Sequence, residues 1–144
     1  MADLSNPQLN IYQVKADLLI SEKAIEEAKI QTPRFSKYLR GQAAYHLQQA
    51  AEKLIKIQLY HAGKKLDHAK IYNHSIGSLL VYADDLKIDI IVPAIVRKND
   101  ELITSWEAEG RYDVHMVVRT DTLQKYLQEF RQWYDMVESI PGIK

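Results

Sequence analysis

A chain of 144 residues, 47% apolar and 26% charged, has the composition of one globular domain and is too apolar for a disordered one. The lack of cysteine excludes a disulfide framework, a thiolate nucleophile and a zinc knuckle. Net charge is zero, yet residues 34–74 carry eight Lys or Arg against only Glu52 and Asp67, and the remainder must balance this excess of six. Such asymmetry fits a basic surface for an anionic partner, or a basic face that meets an acidic one.

Five helical segments follow in chain order, and no strand-like alternation interrupts them. The first is expected over 7–31, with Asn6 as its cap and Pro7 at the first helical position. Thr32-Pro33 repeats that punctuation, so the second helix is expected over 33–62 with Gly63 as its stop. Its apolar stripe (Ala43, Leu47, Ala50, Leu54, Ile57) is widened by Ala44, Ala51 and Ile55, which marks a central helix with several neighbours. Gly41 costs roughly 1 kcal/mol within it, a sign of a kink, a close helix contact or a tolerant solvent side.

After the polar loop GKKLDHAKIYN a third helix is expected from about Asn73-His74 through SIGSLLVYADDL. A fourth starts near Pro93 and includes Ile95, Val96, Leu102, Ile103 and Trp106. The fifth, over 121–140, keeps strict helical spacing at Leu123, Tyr126, Leu127, Phe130, Trp133, Tyr134 and Val137, has a Thr120-Asp121 cap, and stops at Pro141-Gly142. Short connections between such helices predict an all-α, up-and-down bundle of four to five helices in a single domain over 1–144. Leu47, Leu54, Leu127, Phe130 and Trp133 are expected in its core. No apolar run approaches the roughly 18 residues of a membrane span. The opening MADLSNPQLN lacks the layout of a signal peptide, so a cytoplasmic protein without membrane contact is expected.

Within the second helix His46, Gln49, Lys53, Lys56 and Tyr60 step by 3, 4, 3 and 4 and therefore share one face. Such a row is ordinarily a helix's solvated side. The competing reading is an anion site, with Lys53 and Lys56 toward a phosphate and Gln49 or His46 as neutral donors. GKK at 63–65 lacks P-loop spacing, so side chains would have to hold any nucleotide.

Tyr45, the run Gln48-Gln49-Ala50-Ala51-Glu52-Lys53, Lys56, Gly63, His74-Ser75-Ile76 and the late Arg111-Tyr112-Asp113 together resemble the HEPN domain over roughly residues 10 to 138. The resemblance implies a helical bundle that is commonly a homodimer and often paired with a small nucleotidyltransferase in toxin–antitoxin or defence systems. Some members are metal-independent ribonucleases that use an Arg and a His with four to six residues between them. Others are non-catalytic and bind nucleotides or a partner protein. Here Arg111 and His115 have three residues between them, and Tyr112 follows the arginine where nuclease members usually place a polar residue.

Three sets of candidates emerge. Arg111 and His115 are the catalytic pair of a ribonuclease reading, since an imidazole can move a 2′-hydroxyl proton while a guanidinium holds the phosphate. The alternative is that Arg111 pairs with Glu109 or Asp113 while His115 lies in a loop. His46, Gln49, Lys53, Lys56, His74 and Tyr112 are the ligand-binding candidates for a nucleotide or RNA. His74 could equally pack against the second helix and satisfy a carbonyl. His61, His68 and His74 stand seven and six residues apart across a loop without an arranged carboxylate, a poor metal set, so neither metal nor cofactor is expected. Trp106 and Trp133 read as core, although Trp106, just ahead of the Gly-Arg-Tyr-Asp run, could stack a base. The remaining alternative is a pure interaction module whose basic helix meets an acidic protein.

Overall fold

Asn10 is extended (φ −126°, ψ 162°), and its Oδ1 accepts the Gln13 N–H at 3.1 Å. The first helix, α1 (Ile11–Ala28), therefore starts later than the Asn6-Pro7 punctuation predicts. The computed structural model describes residues 9–109 and 118–144, so the Ser5-Asn6-Pro7 signal lies outside the described residues. Those residues form helices and loops, with no strand among them.

Pro33 opens α2 (Pro33–His61) as expected, but Thr32 makes no side-chain cap. Beyond its end Gly63 takes φ +74°, a left-handed conformation that glycine adopts without strain. A single turn, α3 (His68–Ile71), interrupts the expected loop because Asp67 Oδ1 caps it through the Ala69 N–H. Ser75, one of the two capping residues beside His74, caps α4 (Ile76–Asp85), and its Oγ accepts the Ser78 N–H at 3.2 Å. The expected fourth helix is split at Asn99 (φ −125°, ψ 31°) into α5 (Ala94–Lys98) and α6 (Asp100–Glu109). The last helix, α7 (Thr120–Glu138), follows Arg119, whose side chain makes no cap, while Asp121 Oδ1 accepts the Thr122 N–H at 2.9 Å in the first turn. Among the described residues, five helices of ten residues or more and two single turns thus make the all-α bundle.

Helix α2 is central and packs against α1, α4, α6 and α7. Its pairing with α1 is antiparallel: Asp17 reaches Lys53, and further along α1 Ser21 Oγ donates to the carbonyl of Ala43. Gly41 is buried, which rules out a solvent-side tolerance for it. Helix α7 closes the bundle over α1 and α2, tied by Arg131, which donates to Glu22 on α1. That bond, assisted by the guanidinium charge and opposed by partial burial, holds the Glu22 carboxyl below its usual range.

Leu47, Leu54, Leu127, Phe130 and Trp133 are fully buried, as the periodicity predicts. Trp106, Tyr126, Phe130 and Trp133 form a run of edge-to-face contacts with centroids 5.0, 5.9 and 5.5 Å apart. Such pairs add to the burial energy because a ring's positive edge meets a negative face. Across α4 and α6, a Cβ added to Gly77 would lie 2.3 Å from Asp100 Oδ2, so a larger residue would force that carboxylate to swing away.

The stretch between α4 and α5 has no ladder of its own, and one buried amide secures it. Gln58 on α2 accepts the Ile91 N–H at 2.7 Å and donates to the Ile91 carbonyl at 2.9 Å, while Trp133 Nε1 donates to the same carbonyl at 2.6 Å. Gln58→Leu keeps the volume but strands the Ile91 N–H inside the protein. It should lower unfolding stability by about 1–3 kcal/mol in denaturant titration, with the helical far-UV signal retained.

Candidate functional site

The row on α2 does not face water as an ordinary polar side would. Lys56 is buried, and His46, Gln49, Lys53 and Tyr60 are half-buried. Ammonium groups are costly to desolvate, and they remain here because carboxylates are buried with them. Asp17, on the inner face of α1, receives Lys53 Nζ on Oδ2 at 2.7 Å and faces His46 Nδ1 with Oδ1 at 2.9 Å. Glu52 repeats the arrangement. Its Oε2 receives Lys56 Nζ at 2.9 Å, and its Oε1 faces His74 Nδ1 at 3.0 Å.

Gln48 completes the network, donating to Glu52 Oε1 at 3.1 Å and to the His74 carbonyl at 3.3 Å, while its Oε1 accepts from Gln49 at 2.7 Å. Burial alone would favour the protonated form of Glu52. The Lys56 charge and the bonds from Lys56, His74 and Gln48 outweigh it and hold the carboxyl below its usual range.

A cavity of about 200 Å³ opens beside the second clamp. Gln49, Glu52, Lys53, Lys56 and Tyr60 of α2 form one wall, and Ile71, Tyr72 and His74 face them, with Leu9 at the margin. Four of the six expected ligand-binding residues, Gln49, Lys53, Lys56 and His74, thus meet at one place. His46 does not line this cavity; it ties α1 to α2 through Asp17, its ring edge-to-face with Tyr45 at 5.1 Å. Arg111, Tyr112 and His115 lie outside the described residues. Just after them, the Val118 carbonyl accepts from Arg40 Nη1 at 3.2 Å, about 20 Å along the α2 axis from Lys53.

Other candidates sort differently. Trp106 is fully buried, so it has no open face for a base. Tyr72 is 61% exposed, at the cavity edge, with the His68 ring 4.3 Å away. His61 lies against Gly142. Among the described residues no group of three His, Asp or Glu side chains could hold a metal ion. No described helix is long and apolar enough to cross a membrane. A larger hollow of about 710 Å³ between α4 and α6 contains Asp84, Asp85, Asp100 and Glu101 against Lys70 and Arg97. That acidic excess disfavours an anion, so the smaller, lysine-lined cavity is the better site.

Sequence reasoning missed Asp17 and did not give Glu52 a role. The signal was present, since Asp17 falls between Val14 and Leu18 on α1 and Glu52 between Ala51 and Ile55 on α2, all of them buried. A carboxylate at a core position needs a partner, and that demand points back to the lysine row.

The chain matches no protein-family model, no curated protein and no solved structure.

Because the folded chain holds Glu52 ionised more readily than the unfolded chain does, its contribution to stability is complete above the ordinary value of 4.5. That contribution is lost as the pH falls through the lower folded value. Stability measured from neutral pH down to about 3 should therefore fall with acid. Glu52→Gln should flatten that fall and cost about 3 kcal/mol at neutral pH, because Lys56 would be left buried without a counter-charge.

Proposed function

We propose that this chain is a HEPN-type helical module that holds a phosphate of a nucleotide or RNA in the Lys53–Lys56–His74 cavity. In this reading it works as a cytoplasmic homodimer beside a partner protein such as a small nucleotidyltransferase. The observation that carries the proposal is the convergence of two ammonium groups, an imidazole and the Gln49 amide on one small hollow.

The carboxylates offset the charge of the lysines but do not exhaust their donors. An ammonium has three N–H groups, and the clamps use one from Lys53 and one from Lys56. The remaining donors can meet phosphate oxygens. Size narrows the ligand further: about 200 Å³ is below the roughly 300–1,000 Å³ of pockets that enclose a whole small molecule. A phosphate and part of its sugar fit inside, which leaves a base at the surface, where Tyr72 offers an exposed ring. The Gly-Arg-Tyr-Asp resemblance and the order of the α2 motif support the family, and with it the dimer and the partner.

Binding of a labelled single-stranded RNA, and its competition by mononucleotides, tests the reading. Affinity should fall as salt rises, because each phosphate contact releases counterions. Tyr72→Ala should weaken RNA binding by about 1–3 kcal/mol while leaving the melting temperature unchanged, since the side chain is exposed. Arg111→Ala reports separately whether the expected Arg111 guanidinium takes part. RNA and nucleotides that both fail to bind at micromolar concentration would remove the proposal.

A further inference from the structure

We infer that the Lys53–Lys56–His74 cavity takes a terminal phosphate, the phosphomonoester at the end of a nucleotide or an RNA strand, in preference to an internal phosphodiester; this rests on the phosphate-binding reading above.

The volume of the cavity and the mixture of donors and acceptors on its walls separate these two ligands. An internal phosphate joins two sugars, and both must fit at the mouth of whatever hollow encloses it. At about 200 Å³ the cavity is smaller than the roughly 300–1,000 Å³ of pockets that enclose a whole small molecule. It has room for a phosphate with part of one sugar. A terminal phosphate needs no more, because only one of its oxygens bears carbon.

The walls make the finer distinction. An ammonium has three N–H groups, and Lys53 and Lys56 each use one in a clamp, which leaves two apiece. The Gln49 amide keeps one N–H after its bond to Gln48. Beside these donors stand two acceptors. Glu52 lines the cavity, and its carboxylate has about four lone-pair sites, of which Lys56, His74 and Gln48 fill three. An ionised carboxylate only accepts, so His74 Nδ1 facing it carries a proton, and in the neutral ring Nε2 keeps a lone pair. The His74 side chain is 54% exposed and lines the cavity, so Nε2 is open to a ligand.

A phosphodiester has two non-bridging oxygens and no proton. Against Glu52 and Nε2 it sets lone pairs against lone pairs. A phosphomonoester has three such oxygens and a second proton that titrates at about pH 6. That proton can stay on the phosphate and be donated to Glu52, or pass to His74 Nε2, which then donates to the dianion. Either way one proton is shared between the ligand and an acceptor on the wall, a bond that a diester cannot supply. The lysines and Gln49 serve the remaining oxygens.

The test uses the full chain and one short single-stranded RNA sequence, labelled on an internal base. The strand is made with hydroxyl at both ends, with phosphate at the 5′ or the 3′ end, and with the methyl ester of each phosphate. That ester keeps a negative charge at nearly the same size but has no proton to share. Fluorescence anisotropy at fixed salt and neutral pH should show one phosphate-ended strand binding at least about tenfold more tightly than the hydroxyl-ended strand. Methylation of that phosphate should remove most of the gain. Adenosine monophosphate with the phosphate at the same position separates the sources. Displacement of the strand by it assigns a free nucleotide as ligand, and failure to displace assigns a strand end. His74→Gln keeps an amide to face Glu52 but removes Nε2, and it should reduce the end preference to below about threefold. Circular dichroism of that variant should match wild type; if it does not, Gln49→Ala, which withdraws one donor from the same wall, takes its place. Equal binding of all strands would overturn this inference and leave the phosphate-binding module standing. So would a wild-type end preference in the folded variant, which would put end recognition elsewhere. A chain that binds neither strand nor nucleotide would remove both readings together.

Discussion

Two carboxylates, Asp17 and Glu52, are buried among the described residues of this helical bundle, and the arrangement of the central helix depends on their being paired. A lone carboxylate transferred from water into protein costs several kcal/mol even after relaxation. Asp17 and Glu52 avoid that state only while Lys53, Lys56, His46 and His74 keep their places. The Asp17 clamp fixes the register of α1 on α2, because a shift of one turn along either helix would part it from Lys53. The Glu52 clamp fixes the chain that enters α4, because His74 can meet Glu52 only if the turn after α3 brings it against the middle of α2. Apolar burial holds the helices together, and the clamps select one alignment among those that burial alone would allow.

The same pairing locates the chemistry. A row of lysines on a water-facing side would be a diffuse positive surface. Drawn inward by carboxylates, Lys53 and Lys56 become fixed donors at the wall of a hollow, with little side-chain freedom left to lose on meeting a ligand. The larger hollow between α4 and α6 has volume without that preorganisation, and its acidic excess is of the wrong sign for phosphate. Volume and chemistry therefore point to different places, and chemistry is the better guide to a charged ligand.

Much of the scaffold was legible in the pattern of residue types. The spacing of Leu123, Leu127, Phe130 and Trp133 marks one face of α7, and all four are buried. Gly63 was legible as a stop because its left-handed φ suits glycine. Boundaries were less so. Asn10 and Asn6 are both competent caps by residue type, and spacing does not choose between them; the break at Asn99 likewise has no marker as strong as proline or glycine. Half-legible, too, was the site. Gln49, Lys53 and Lys56 share a face by helical geometry, and His74 entered through motif order, but which of them touch one cavity was not a property of spacing.

What the sequence determined by itself is the set of local preferences: five long helices, their apolar faces, and a polar row of fixed pitch on the second. These follow from backbone geometry repeating every 3.6 residues, which any reader of residue types can apply. Only the tertiary structure decided that the row is buried and neutralised, that His46 is a tie while His74 opens on a cavity, and that Tyr72 rather than Trp106 is the exposed ring. The reason is that an ion pair's partner is chosen by proximity in space. Asp17 meets Lys53 across 36 residues and Glu52 meets His74 across 22, separations over which no periodicity along the chain carries information.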